Sequence, residues 1–439
     1  MKTKLFIIIF FLFIQITFSQ CWVSINSNGF NTVGLTSDGN LYLWGANNYG
    51  QLGNGSTTPI SNLSNFSNQT VWKEVSISET SFGIKQNGTL WVWGSDALLP
   101  SPQTLPIQIG TDNNWKKVSC RYSHSAPVRS LAIKTNGTLW DLGNLGAGNI
   151  ITQVGTDNDW KDIFTGNGFS FAIKNNGTLW SWGRNLGGWL GDGTTIDRPM
   201  PVQIGTGNNW KKISTSDLFT FGVKTDGTLW FWGGFEFGLS NIVPIQVGTD
   251  NDWKDIATLN QAMLAVKNNG TLWGWGENWH SGFGNGTNTA LTNLSRIGTD
   301  TNWNSISAGA GHVTALKIDN TLWVWGSIYN GGTLGNGTTT SNVPINISCD
   351  PFLSSNEISP NKSTIYPNPT KDKIYFKNLK NISKVEVFDM SGKLIEAKSD
   401  ISNSLDVSKL QKGVYIIKIF TDKAVYKSKN PEQQLGISL

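Results

Sequence analysis

Cysteine and histidine are scarce in this 439-residue chain, with three of each. His124, His280 and His312 are scattered, without an H-x-x-x-H pair or any Cys/His ligand spacing, so a zinc-type centre has no local signature. Charged residues make up only 15%, and their placement excludes a second class. Residues 350–439 hold 14 lysines against 10 acidic residues, which leaves 18 basic against 20 acidic residues over 5–349. Despite a net charge of +4, that long stretch lacks the basic stripe that nucleic acid requires. Apart from the N-terminus, no apolar run approaches bilayer length.

That N-terminus carries Lys2 and Lys4, then an apolar core from Leu5 to Phe18. Charge pattern and length read as a secretory signal over residues 1–19, with cleavage near Ser19 or Gln20. Cys21 raises lipidation, but Gln20 stands where a small residue would be expected.

Glycine and tryptophan are abundant instead, at 49 and 21 residues. One phrase recurs, clearest at Phe171 to Gly183 as F-A-I-K-N-N-G-T-L-W-S-W-G. Seven copies end at Gly45, Gly94, Gly143, Gly183, Gly233, Gly276 and Gly326. Asn-Gly or Asp-Gly between two apolar runs predicts a hairpin with a type I′ turn. The N-G-T triplets also read as glycosylation sequons, though the turn explains them without sugar. A second landmark, a tryptophan leading a short β run, occurs at Trp22, Trp72, Trp115, Trp160, Trp210, Trp253 and Trp303, spaced by 43–50 residues. That period suits a propeller blade, and each unit offers about four strands. Four units add a Gly-rich connection after W-G, such as Y-G-Q-L-G-N-G-S at Tyr49 and G-W-L-G-D-G-T at Gly188.

G-x-L-G-N-G-T together with A-L-K-x-x-G-T-L-W-x-W-G resembles the regulator of chromosome condensation repeat family. The resemblance covers residues 20–349 and implies an all-β, seven-bladed β-propeller. His312, in A-G-A-G-H-V-T-A-L, is similar to that family's structural G-x-x-H-T-x-A-L phrase and reads as a core residue. Nucleotide exchange on a nuclear GTPase, the role of the eukaryotic founder, comes to this chain by family analogy only. The photoreceptor relative's G-W-R-H-T phrases are absent, and a secreted β-lactamase inhibitor of this fold supplies the logic of a ring gripping a protein with its loops.

A propeller must close. Aligned on the repeats, Cys349 and Cys21 fall at the first and last positions of a turn split between the two ends of the ring, which predicts a Cys21–Cys349 disulfide. Cys120 reads as a buried free thiol.

Residues 350–363 read as a linker. Short alternating strands follow, expected as a small β-sandwich over residues 364–439. Y-P-N-P at Tyr366, D-x-x-G-K-L at Asp389 and L-x-x-G-V-Y at Leu410 resemble the C-terminal sorting domain of the Bacteroidetes type IX secretion system. The resemblance implies that secretion machinery as a partner, passage through the periplasm, and a secreted or outer-surface location. The last residues, from Lys429, depart from the basic, hydrophobic ending expected there.

No catalytic set, cofactor motif or metal site emerges. Asp157, Asp159, Asp250 and Asp252 in G-T-D-N-D-W turns offer too few oxygens for calcium and read as Asx-turns. Of the 21 tryptophans, seven lead strands and twelve occupy hairpin positions, which leaves Trp189 and Trp279 in the Gly-rich loops, beside Tyr49 and Tyr329. Loop aromatics offer large contact area at low entropic cost. These four are the expected contacts of a monomeric binding module for an extracellular protein or glycan. The competing readings are an enzyme acting on polysaccharide, with acids clustered at the central channel, and a purely structural surface protein.

Overall fold

The computed structural model describes residues 22–37, 39–66, 72–95, 102–121, 130–143, 151–234, 240–328 and 334–347 of a first unit, and 364–366, 372–377, 382–389, 394–399, 404–410, 414–421 and 432–438 of a second. The first unit ends at Ile347 and the second begins at Ser348.

The first unit is an all-β, seven-bladed propeller. Each blade is a four-stranded antiparallel sheet of consecutive strands, and the blades span 22–65, 72–109, 115–153, 160–203, 210–246, 253–297 and 303–347. Blade 5 is representative, with strands Trp210–Thr215, Phe219–Lys224, Leu229–Gly234 and Ser240–Gln246. The first strand is innermost, and residues from the first strands of all seven blades line a central cavity.

The recurring phrase builds each blade by local rules. Its turn differs in one detail from the expected type I′. In K-Q-N-G-T, Gly88 N donates to the Lys85 carbonyl at 2.8 Å, and Lys85 N to the Thr89 carbonyl at 3.1 Å. Gly88 alone has positive φ, at 79°, so this is a three-residue type I turn closed by a glycine bulge. Asn87 selects it, because its Oδ1 accepts from the Thr89 backbone N–H at 3.2 Å and hydroxyl at 2.7 Å. The glycine is required sterically. A Cβ on Gly88 would lie 2.0 Å from the Asn113 carbonyl of the chain entering the next blade. In the seventh blade Asn320 takes the same left-handed conformation, at φ 61°.

Threonine continues the chain of contacts outward. Its hydroxyl accepts from the first tryptophan of W-x-W, as in Trp180 Nε1 to Thr178 Oγ1 at 3.0 Å. The lysine of A-I-K then sits between that indole and the leading one, with Lys174 Nζ 4.7 Å from the Trp180 centroid and 4.8 Å from Trp160. Asp157 and Asp159 approach the same ammonium at 2.7 and 3.2 Å. Asp250 and Asp252 repeat this around Lys267 at 2.7 and 2.9 Å. The G-T-D-N-D-W acids therefore serve lysine–tryptophan stacks: a lysine ammonium occupies the place where a metal cation would sit. Burial opposes charge on Lys174, but the two carboxylates outweigh it and hold its pKa above the ordinary lysine value. The seven leading tryptophans are at most 3% exposed and form the core between blades, each burying roughly 150–250 Å².

Blades 7 and 1 meet through a polar seam. Thr32 Oγ1 lies 2.8 Å from His312 Nε2, Ser27 Oγ 2.7 Å from Thr314 Oγ1, and Ser27 N donates to Ser307 Oγ at 2.9 Å. Farther out, Leu63 N donates to the Gly335 carbonyl at 3.0 Å, and Gly337 N to the Ser61 carbonyl at 2.8 Å. His312 is fully buried, as its place in the phrase predicts.

The second unit contains a three-stranded sheet of Thr364–Tyr366, Lys373–Lys377 and Ser404–Asp406. Its four-stranded sheet runs Leu394–Ser399, Ile382–Asp389, Val414–Thr421, Glu432–Ser438. Ile374, Phe376, Val385, Val387 and Leu405 are buried, while Tyr375 between the first two is exposed, the alternation of a half-buried strand. The atypical C-terminal stretch contributes the strand paired with Val414–Thr421.

Candidate binding face

Two sets of connections share one face of the propeller: the turns between first and second strands, and the Gly-rich loops between third and fourth strands. The loops of blades 1, 4 and 6 are held by a buried asparagine at the second residue after W-G. Asn185 Oδ1 accepts from Leu190 N at 2.9 Å, and its Nδ2 donates to the Thr194 carbonyl at 2.9 Å. Asn47 and Asn278 make the equivalent bonds to Leu52 and Phe283. Each loop then caps the neighbouring blade. Trp93, Trp232 and Trp325 donate their Nε1 protons to the carbonyls of Gln51, Trp189 and Gly282 at 2.8, 3.0 and 2.8 Å. Gly53, Gly191 and Gly284 lie on those indoles, where a Cβ would come within 2.8 Å of the ring. The recurrent W-G-x-N spacing was the sequence signal for this framework, and the count of aromatics alone did not use it.

Aligned on that asparagine, the loop aromatics occupy different positions. Trp189 matches Gln51 and Gly282; its carbonyl holds Trp232, while its half-buried ring stacks on Phe169 with centroids 5.9 Å apart and planes at 30°. Trp279 matches Leu186, and both project into solvent, 59% and 73% exposed. Tyr49 is also exposed. The structure thus puts Tyr49, Trp189 and Trp279 on one face but on blades 1, 4 and 6, without bringing them together. Tyr329, Cys21 and Cys349 lie outside the described residues.

The same face surrounds the mouth of the central cavity, about 450 Å³, whose lining includes Asn28, Arg121, Asp217, Asn260 and His280. Arg121 of blade 3 reaches past blade 4 to blade 5, where its guanidinium donates to the Thr215 carbonyl and approaches Asp217 at 3.6 Å. Burial lowers its pKa, and Asp217 partly offsets that. Hydroxyls stitch the walls: Ser119 to Thr165 at 2.9 Å, and Ser214 to Thr258 at 3.0 Å. The second residue after the leading tryptophan of blades 2 to 6 adds a necklace of alternating sign, Glu74, Lys117, Asp162, Lys212 and Asp255. Lys117 pairs with Asp162 at 2.6 Å and Lys212 with Asp255. Glu74 accepts from Val118 N at 3.3 Å, and Asp255 from Ile306 N at 2.9 Å. Burial raises the Glu74 pKa against the pull of Lys117. These acids each bind a neighbouring blade, which is a structural role. Cys120 is buried against Ser76, and burial pushes its thiol up to about 12, far from a thiolate nucleophile.

Models of the regulator of chromosome condensation (RCC1) repeat match residues 38–78 and 176–223, and, in a second version, 22–51 and 160–188. The propeller thus contains RCC1 repeats, matched in its first and fourth blades and the opening strands of the blades that follow. A model of the secretion system C-terminal sorting domain matches residues 364–430. That domain marks the RCC1-repeat chain for export by type IX secretion, to the medium or the cell surface. A search of curated proteins found no match. Among solved structures, human WBSCR16 superposes with a TM-score of 0.62 at 16% identity, over 70% of this chain and 94% of that one. Yeast RCC1 (Prp20) bound to Kap60 gives 0.59 at 17%, over 70% and 83%. Prp20p from Saccharomyces cerevisiae, described with its binding to Gsp1p and histones, gives 0.55 at 17%, over 66% and 80%. At these identities the likeness concerns the fold.

Proposed function

We propose that this protein is a secreted binding module that holds an extracellular protein or glycan on the face formed by its strand 1–2 turns and Gly-rich loops. The observation that carries the reading is the division among its tryptophans. The leading indoles are spent on the core, whereas Trp279 stands 59% exposed on a loop braced by Asn278 and capped onto the next blade. A large aromatic on a rigid support is what a binding surface needs. Export fits an extracellular ligand, with a signal over residues 1–19 and a route through the periplasm as parts of the same reading. The Cys21–Cys349 disulfide also belongs to it, and intact mass without reductant showing two free thiols there would contradict it.

Amide hydrogen exchange of the full chain, with and without a surface extract of the cells that produce it, tests the face. Protection is expected in the strand 1–2 turns and Gly-rich loops. Protection confined to the N-G-T hairpins, or none, would contradict the proposal.

A further inference from the structure

One sector of the cavity mouth carries a more specific chemistry. Trp279 is exposed, and the next residue, His280, lines the cavity together with Asn260 of the same blade. A Cβ on Gly311, in the blade 7 turn, would touch the His280 ring at 3.2 Å, so the loop rests directly against that turn. Across the mouth Arg121 and Asp217 form an ion pair at 3.6 Å, and Lys212, which also lines the cavity, is paired with Asp255, so the lining brings little net charge. The walls carry hydroxyls, including Ser214, Thr258 and Ser307, among aliphatic side chains such as Ile213 and Ile256.

We propose that this sector, between blades 5 and 7, binds the end of a neutral polysaccharide chain. Sugar hydroxyls both donate and accept, and amide, imidazole and hydroxyl side chains can meet them in either role. The C–H face of a pyranose is apolar and suits the flat indole of Trp279, whose polar edge remains wet. An anionic chain would have to displace Asp217 from Arg121. A protein partner would want a cluster of exposed large side chains at the mouth, but Tyr49, Leu186, Leu218 and Trp279 stand singly on blades 1, 4, 5 and 6. The cavity volume, about 450 Å³, is that of a small-ligand site and admits a chain end. The inference rests on the loop-face reading and gives it a ligand class.

The test is affinity electrophoresis of the full-length chain through gels containing xylan, laminarin, galactomannan or hydroxyethylcellulose, with alginate as the acidic comparison. At least one neutral gel should retard the protein. Trp279→Ala and Asn260→Ala should each weaken the apparent Kd about tenfold. Trp279→Phe should keep most of the retardation, and Met200→Ala, on the outer rim of blade 4, should keep all of it. Circular dichroism melting confirms that the variants fold. No retardation in any neutral gel, retardation by alginate alone, or retardation that survives Trp279→Ala would each overturn the saccharide site. The exchange experiment on the loop face is read independently, so a failure here leaves that face standing or falling on its own result.

Discussion

Two junctions of the ring pack the same tryptophan in different ways. Where blade 6 meets blade 7, the blade 6 loop covers Trp325, its indole donates to the Gly282 carbonyl, and it is fully buried. Where blade 5 meets blade 6, Trp275 donates to Thr292 of its own blade and remains only half-buried. The sheet compensates in volume. Blade 6 has Gly274 in the middle of W-x-W, with the loop residue Phe283 lying where a Cβ would come within 2.8 Å of its ring. Blade 4 has Ser181 there, donating to the Leu190 carbonyl of its loop at 2.9 Å. Blade 5 has Phe231 at this position, packed against Phe221 at 5.1 Å and Trp275 at 6.0 Å. Loop and sheet residue together fill one volume, so either can supply the bulk.

If capping matters, the two tryptophans will differ in cost. Trp325→Ala should destabilise the protein by about 3–5 kcal/mol and Trp275→Ala by less than about 2 kcal/mol, read from denaturant midpoints. Equal losses would break the comparison.

The closing seam differs from the other junctions in holding a histidine where blades 4 and 5 have Phe169 and Phe219. Burial lowers the His312 pKa from 6.5 to about 4, with an Asn31 backbone contact opposing. The folded state thus resists the proton that the unfolded state accepts. Stability should fall as pH drops from 6.5 towards 4 and then level off, a loss of about 3 kcal/mol from this group. His312→Gln should flatten that part of the profile in a pH series of melts. An unchanged slope would remove the seam from the account.

The smallest expected effect concerns the lysine stacks. Lys224 lies 4.8 and 3.7 Å from its two indole centroids, but Gly207 stands where Asp157 serves Lys174. Burial lowers the Lys224 pKa, only partly offset by Asp226. A Cβ on Gly207 would make ordinary contact, 3.6 Å from Lys224 Nζ. Gly207→Asp should therefore stabilise the ring by about 0.5 kcal/mol and raise the lysine's pKa.

The blades were legible because their instructions are local: Asn-Gly-Thr makes the turn, alternation makes the strands, and the leading tryptophan marks each start. What escaped depends on neighbours that only the closed ring supplies. Glu74, Lys117, Asp162, Lys212 and Asp255 alternate in the sequence, but the pattern gains meaning once successive first strands lie side by side. Arg121 spans from blade 3 to blade 5, a pairing no spacing announces. Trp189 and Trp279 looked equivalent as aromatics left over in Gly-rich loops, whereas the register set by the buried asparagine assigns one to packing and the other to solvent.

The central claim is that the core tryptophans are scaffold and Trp279 is contact surface. Brief oxidation of the native chain, mapped by mass spectrometry with and without the producing cells' surface extract, tests it directly. Trp279 should oxidise well ahead of the leading tryptophans, and the extract should protect it. Rapid oxidation of Trp115 or Trp253, or a Trp279 that the extract leaves unprotected, would contradict the account.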